Sequence, residues 1–130
     1  MPRVSHPRRP APSHPELLAV ARAVRRAAVA DDTERVHVEL CRLRSDLLVH
    51  VHAEREELSS LPAAAGAVVA EGQRRLLGLL DDLLCLGDDG RAEGCGCLVR
   101  AAEVEVELRR QAMLEGLLRR HGTPAGTERG

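Results

Sequence analysis

The chain contains no phenylalanine, tyrosine, tryptophan or isoleucine, and this absence limits the kind of interior that it can build. Leucine, valine and alanine must fill the core. Leucine and alanine are among the strongest helix formers, whereas the aromatic side chains that favour strands are missing. The composition therefore predicts an all-α fold.

Four segments repeat apolar residues at the three-to-four spacing of an amphipathic helix. A capping box of Asp31 and Glu34 opens the second segment, and Pro62 closes it. Short turns between the segments predict an up-down-up-down four-helix bundle. The expected helices cover about residues 16–29, 32–61, 63–86 and 97–120.

The same spacing predicts which side chains face the core. In the second helix the apolar stripe turns polar where it reaches His50 or Val51 and then Glu54. In the fourth helix we expect an inward face made of Val99, Ala102, Val106, Met113 and Leu117.

The 130 residues suffice for one domain with its own core. Residues 1–15 hold five of the seven prolines and are predicted to be a disordered arm. The bundle is expected over residues 16–121, with a disordered tail over residues 122–130.

Charge and composition argue against several classes of function. The formal net charge is −1, no basic stripe is visible and no aromatic side chain can stack on bases, so we expect no nucleic-acid partner. No apolar stretch is long enough to cross a bilayer, which favours a cytoplasmic protein without a membrane partner. A nucleophilic triad and a phosphate-binding glycine loop are both missing, so we expect no enzyme. The pattern does not identify a protein partner or indicate self-association.

The stretch from His50 to Pro62 offers the clearest chemistry. His52 and Glu56 are four residues apart, which on a helix is about 40° of rotation and roughly 6 Å of rise. An imidazole and a carboxylate in that relation can bind one metal ion together. His50 and Glu54 offer the same geometry in a different rotation, so the choice of inward histidine stays open.

This stretch resembles the second-helix motif of the hemerythrin/HHE cation-binding family, in the form His-x-x-x-Glu-Glu-x-x-x-x-Pro from residue 52 to residue 62. Weaker similarities lie at residues 72–77 and 105–110. The resemblance implies a hemerythrin-like bundle that binds or senses oxygen and related species through non-haem iron. His52 is then an imidazole ligand and Glu56 a bridging carboxylate. A separate hypothesis is a single weakly held ion at His52 and Glu56, with His50 or Glu105 helping.

The ligand set that the resemblance implies is incomplete in this chain. Gln73 and Glu105 stand where the family offers histidines, and Arg109 stands where it offers a carboxylate. Folding the chain about the turn near residue 31 places His14 level with His52, which adds one ligand at most.

Arg109 favours a metal-free alternative. A guanidinium carries a permanent charge and only donates hydrogen bonds, so it repels a metal ion. It can pair with Glu105 along its own helix or with Glu56 across the bundle. The competing hypothesis is therefore a regulatory or interaction bundle in which ion pairs have replaced the metal.

A third hypothesis concerns the four cysteines. Cys95 and Cys97 open the fourth helix, and helix register places them at the same end of the bundle as the others. Such a group predicts a zinc site or a thiol redox switch, and the alternative is a set of reduced core thiols. The residues in question are His37, Cys41, Cys85, Cys95 and Cys97.

Overall fold

The computed structural model describes residues 10–88 and 94–122, apart from the side chains of residues 86–88, 94–96 and 121–122. These ranges contain four helices and no strand, which confirms the predicted all-α class. Residues 1–9 of the predicted arm and residues 123–130 of the predicted tail lie outside the described residues. The helices are α1 (His14–Val29), α2 (Thr33–Leu58), α3 (Ala63–Asp88) and α4 (Gly94–Gly122).

A capping box fixes the start of α1. The Ser13 amide donates to Glu16 Oε1 at 2.9 Å, and the Glu16 amide donates to Ser13 Oγ at 3.3 Å. These reciprocal bonds satisfy amides that have no partner inside the helix. The helix therefore begins at His14, which the sequence had placed in the arm.

The second helix begins one residue later than its predicted capping box. Asp32, not Asp31, is the N-cap, and its side chain accepts from the Arg35 amide at 3.1 Å. Asp31 makes the turn with φ of 58°, in the left-handed region that aspartate tolerates better than most residues. The predicted capping pair of Asp31 and Glu34 is therefore wrong, although the turn itself is where the sequence placed it.

The four helices surround one apolar core. Each helix packs against its neighbours in sequence, and α1 also packs against α4. Leucine dominates the interior, as the composition requires. The largest fully buried side chains are Leu17, Val24, Leu40, Leu43, Val69, Leu76, Leu80, Leu83, Val104 and Leu108.

The predicted inward face of α4 is wrong. All five residues expected in the core are exposed, Val106 by 60% and Met113 by 66%. Apolar residues occur on both sides of this helix, so spacing alone did not select a face. The buried face also carries polar groups, and it consists of Cys97, Ala101, Val104, Glu105, Glu107, Leu108, Gln111 and Glu115.

Within the described ranges, none of the helices has both the length and the apolar character needed to cross a bilayer.

Candidate metal site

Four side chains from three helices converge where the start of α1 meets the last turns of α2 and the second half of α4. They are His14 of α1, His50 and Glu54 of α2 and Glu115 of α4. One potential ligand atom from each lies within 4.8 Å of all the others. His50, Glu54 and Glu115 are buried and His14 is half-buried, so the group is largely shielded from water.

The seam of α2 brings His50 and Glu54 to this position. Buried leucines at 40, 43 and 47 set the inward face, and His50 and Glu54 continue that face by three and four residues. Their side chains meet one turn apart, with His50 Nε2 3.1 Å from Glu54 Oε2. The polar continuation of the stripe predicted from the sequence is therefore confirmed at both residues.

The backbone ahead of α1 fixes the orientation of His50. Its Nδ1 atom lies 2.6 Å from the Pro12 carbonyl oxygen, and because a carbonyl only accepts, Nδ1 must carry the proton. In the neutral ring Nε2 then carries no proton, and its lone pair is directed at the other three side chains. Nε2 makes no hydrogen bond within the described part of the chain, despite its ion-pair distance to Glu54.

His14 and Glu115 complete the group. His14 Nε2 lies 3.5 Å from Glu115 Oε1, and the His14 ring meets the His50 ring edge to face at a centroid distance of 4.5 Å. Among the described residues, Glu115 Oε1 also makes no hydrogen bond although it is buried. Two buried acceptor atoms that face the same point favour a cation there, because an unpaired buried polar atom costs free energy.

Glu54 has partners from two further helices. Gln73 of α3 donates from Nε2 to Glu54 Oε1 at 2.9 Å, and Arg119 of α4 donates from Nη2 to Oε2 at 3.1 Å. Gln73 was expected as a replaced ligand. It lies beside the group as an amide that orients a carboxylate, the kind of support that metal ligands commonly have.

The pKa values of Glu54 and Glu115 are shifted in opposite directions. Burial alone raises the pKa of Glu54, but the neighbouring His50 imidazole, Glu115 and His14 outweigh it and lower that pKa to about 2. Burial and the adjacent Glu54 charge raise the pKa of Glu115, against the opposing effect of His14. In the metal-free protein Glu54 is therefore the ionised member and Glu115 the one that more readily holds a proton.

His50 holds its proton more readily than an ordinary histidine. Burial works against the charged ring, but the contacts with Glu54 and the Pro12 carbonyl, together with the Glu115 charge, outweigh it and raise the pKa of His50. A bound divalent ion supplies positive charge at the same place and displaces that proton.

The prediction that His52 and Glu56 project into the bundle is wrong, because both side chains are exposed. Two residues along a helix correspond to about 200° of rotation, so a seam through His50 and Glu54 turns His52 and Glu56 outward. The family motif selected the correct stretch of α2 but the opposite face.

Glu105 and Arg109 lie away from this group. Glu105 is buried and pairs with Arg25 at 3.1 Å, and Arg109 approaches it at 3.9 Å along α4. The predicted pairing of Arg109 with Glu105 is thus confirmed. Ten residues separate Glu105 from Glu115, which is about 15 Å of helix. Gln73 therefore belongs to the polar cluster around Glu54, whereas Glu105 and Arg109 belong to a separate one.

The cysteines do not form a comparable group among the described side chains. Cys41 and Cys85 are exposed, Cys97 is buried in the core, and the Cys95 side chain lies outside the described residues. His37 Nε2 lies 3.6 Å from Cys41 Sγ. Burial raises the pKa of the Cys97 thiol, which makes it a weaker nucleophile and supports a core role for this cysteine.

Glu115 was missed in the sequence, and His14 was placed only by its level in the bundle. The signal for Glu115 was the spacing of the true inward face of α4, where residues 101, 104, 108, 111 and 115 follow one another by three or four. Two of these five residues are polar, which concealed the stripe.

No family model, curated protein or solved structure matches this chain.

Proposed function

We propose that this protein is a metal-binding helical bundle in which His14, His50, Glu54 and Glu115 hold one divalent transition-metal ion. The observation that carries the proposal is the approach of four ligand atoms to within 4.8 Å of one another. Buried acceptors without hydrogen bonds at His50 Nε2 and Glu115 Oε1 support it.

The donor set fits one ion of the zinc or iron class. Two imidazoles and two carboxylates suit tetrahedral zinc, and with added water they also suit iron or manganese. Ligands about 2.0–2.2 Å from a tetrahedral ion lie roughly 3.3–3.6 Å apart. The observed separations of 3.1 Å and 3.5 Å are close to that spacing. A di-iron centre requires more donors than this group contains.

We assign a binding or sensing role rather than catalysis. Four protein ligands fill a tetrahedral ion, whereas catalytic zinc keeps a position open for water or substrate. An ion at this place ties the start of α1 to α2 and α4, so occupancy changes the stability of one end of the bundle.

The pairing of helix ends supports an up-down-up-down arrangement. His14 at the start of α1 lies beside His50 and Glu115 late in α2 and α4, whereas Arg25 near the end of α1 meets Glu105 early in α4. Kinship with hemerythrin-like domains stays a prediction. The metal proposal does not depend on it, because the proposed ligands are not the residues of the family motif.

Calorimetric titration of chelator-treated protein with zinc, cobalt(II) and anaerobic iron(II) tests the proposal, together with elemental analysis of the purified protein. We expect one ion per chain, and binding at least about tenfold weaker in Glu115→Gln and His14→Ala. His52→Ala and Glu56→Gln are matched controls and should bind as the wild type does. Absence of binding, or a loss confined to His52→Ala and Glu56→Gln, contradicts the proposal.

The second candidate is a metal-free interaction bundle. The bonds from Arg119 and Gln73 to Glu54 favour it, because they already give that buried carboxylate charged and neutral donors. This alternative predicts that EDTA leaves the melting temperature unchanged and that zinc does not raise it. A zinc-dependent rise that Glu115→Gln abolishes decides against it.

A further inference from the structure

Arg119 places a positive charge on the two carboxylates of the proposed metal site. Its Nη2 atom donates to Glu54 Oε2 at 3.1 Å and lies 3.9 Å from Glu115 Oε1. A guanidinium and a metal ion require the same carboxylate lone pairs, and Arg119 cannot become a ligand because it has no acceptor atom. The two cations therefore compete for Glu54 and Glu115.

Arg119 also has a second position available. Its side chain reaches in from the rim and remains 44% exposed, and its Nη1 atom lies 3.5 Å from Glu57 Oε2. Glu57 is exposed, so a guanidinium that leaves Glu54 stays beside a carboxylate in water. The pair with Glu57 does not replace the bond to the buried Glu54, because exposed ion pairs contribute little free energy.

We propose that Arg119 is a built-in competitor that sets the metal affinity of the site. It donates to Glu54 and lies near Glu115 in the metal-free protein, and it moves toward Glu57 when the ion binds. This inference rests on the proposed function, and it raises the metal concentration at which half of the sites are filled.

Cobalt(II) titration of chelator-treated Arg119→Gln, followed by absorbance, tests the competition. We expect binding about tenfold tighter or more than in the wild type, because a charge-assisted hydrogen bond to Glu54 is no longer lost on binding. A merely structural role for Arg119 gives the opposite result, since its removal then weakens the site. Glu57→Gln, which removes the second position, should weaken cobalt binding moderately.

Two arginine variants control for charge alone. Arg55→Gln removes an exposed charge next to Glu54 in sequence. Arg109→Gln removes an arginine that lies four residues after Glu105 and 3.9 Å from it. Arg119 has the same spacing and distance to Glu115. Both should leave cobalt affinity within about twofold of wild type, since exposed charges are screened. Equal affinity in wild type and Arg119→Gln overturns the competitor while the proposed function stands. Absence of cobalt binding in every variant overturns both.

The outer face of α4 supports a second, independent inference. Val99, Val106 and Met113 are seven residues apart and 57%, 60% and 66% exposed, and Leu117 extends the line. A seven-residue apolar repeat drifts by only about 20° per repeat around a helix, which is the pattern of a helix that packs against another helix. The partner helix is not among the described residues.

Charges beside the stripe indicate what covers it. When a second α4 lies antiparallel with Val106 against its own copy, Val99 meets Met113 of the second copy. Glu103 then faces Arg110 of the second copy, and the same pair recurs on the other side of the two-fold axis. Both residues are exposed and opposite in charge, so the stripe is complementary to itself in this orientation.

We propose that this stripe, made of Val99, Val106, Met113 and Leu117, pairs with a second copy of the chain through antiparallel α4 helices. Sedimentation velocity of the full chain over a concentration series tests it, with a dimer expected for the wild type. Val106→Glu brings two like charges together on the axis and should give a monomer. Val38→Glu, at a comparably exposed valine of α2, should leave the dimer intact.

A charge exchange tests the orientation. Glu103→Arg should weaken the dimer, and Glu103→Arg combined with Arg110→Glu should restore it, because the complementary pair is re-formed with reversed signs. A monomeric wild type at every concentration overturns the proposal, as does a dimer that Val106→Glu leaves unchanged. Failure of the double exchange to restore the dimer overturns the antiparallel arrangement.

Discussion

Every buried glutamate in the described part of the chain is paired with an arginine whose head remains partly exposed. The chain contains no lysine, so arginine supplies all of these contacts. Its long stem crosses apolar surface while its planar head reaches a carboxylate at the edge of the core. The pairs join Glu39 to Arg35 and Arg42, Glu54 and Glu115 to Arg119, Glu105 to Arg25 and Arg109, and Glu107 to Arg75 and Arg110.

Pairs with a buried glutamate should contribute more to the free energy of unfolding than pairs in which both partners are exposed. Arg25→Ala leaves the buried Glu105 with only the longer 3.9 Å ion pair to Arg109, so we expect it to lower the free energy of unfolding by about 1–3 kcal/mol. Arg44→Ala removes a shorter pair, 2.8 Å to Asp81, but both partners are exposed. That change should cost less than about 1 kcal/mol. Urea unfolding of both variants measures the difference, and equal costs contradict the reasoning.

The helix pattern of α2 identified residues of the candidate site, whereas the motif did not. Counting three and four from Leu47 leads to His50 and then Glu54, and both are buried. The motif led to His52 and Glu56, which are exposed. Residues four apart share a face wherever they lie around a helix, so the spacing of His52 and Glu56 does not show which face is buried. Only the apolar residues on the same face show that it points inward.

At the scale of single elements, the start of α1 depends on one exposed acid. The hydrogen bonds with the Ser13 backbone and side chain lower the pKa of Glu16 below its ordinary value. A lowered pKa in the folded state means that this stabilisation is present above the unfolded-state pKa and is lost as the pH falls through the folded-state pKa.

Glu16→Gln keeps an acceptor for the Ser13 amide but removes the charge. We expect the variant to be less stable than the wild type at pH 7, and the two to converge as the pH falls below the folded-state pKa of Glu16. Urea unfolding at a series of pH values measures the convergence. A difference that stays constant over the whole acid range contradicts this origin.

Gly72 of α3 leaves room for a buried side chain of α4. A methyl group on Gly72 would overlap the Gln111 side chain, which is buried and donates from Nε2 to the Val69 carbonyl at 3.2 Å. Alanine normally stabilises a helix by about 1 kcal/mol relative to glycine. Here the clash and the lost hydrogen bond should outweigh that gain.

We therefore expect Gly72→Ala to lower the free energy of unfolding by about 1–3 kcal/mol. Gly78→Ala is the matched control on the same helix, because a Cβ there meets nothing within 4 Å, and it should raise stability by up to about 1 kcal/mol. Thermal unfolding of both variants gives the two signs. Stabilisation by Gly72→Ala shows that the side chain of Gln111 moves away without cost.

Helix existence was easier to predict than helix orientation. Pro62 and the aspartates near residue 31 place the first two connections correctly, because these signals act locally. The connection between α3 and α4 lies outside the described residues. The inward face of α4 could not be predicted in this way. Its buried Glu105, Gln111 and Glu115 are compensated by Arg25, the Val69 carbonyl and His14, which come from other helices.

At the scale of the whole molecule, the two ends of the bundle differ in chemistry. Near the turn between α1 and α2 most buried side chains are apolar, among them Ala27, Val36, Leu83 and Cys97, and the buried Glu39 pairs with exposed arginines. At the opposite end the interior holds His50, Glu54, Gln73 and Glu115. Apolar burial dominates the first end, whereas the second depends mainly on charge compensation among its buried polar side chains.

Hydrogen exchange should therefore reveal metal binding as a local event. A ligand that binds only the closed form slows exchange in proportion to one plus the ratio of its concentration to its dissociation constant, about 100-fold at a hundredfold excess over that constant. With saturating zinc we expect the largest slowing in the first turns of α1 and around His50 and Glu115. Amides near Val36 and Val104 should change less, because they already exchange through rarer openings. If exchange slows most near the turn between α1 and α2, the ion binds elsewhere. Glu115→Gln is the internal control, because it should remove the local slowing around the proposed site.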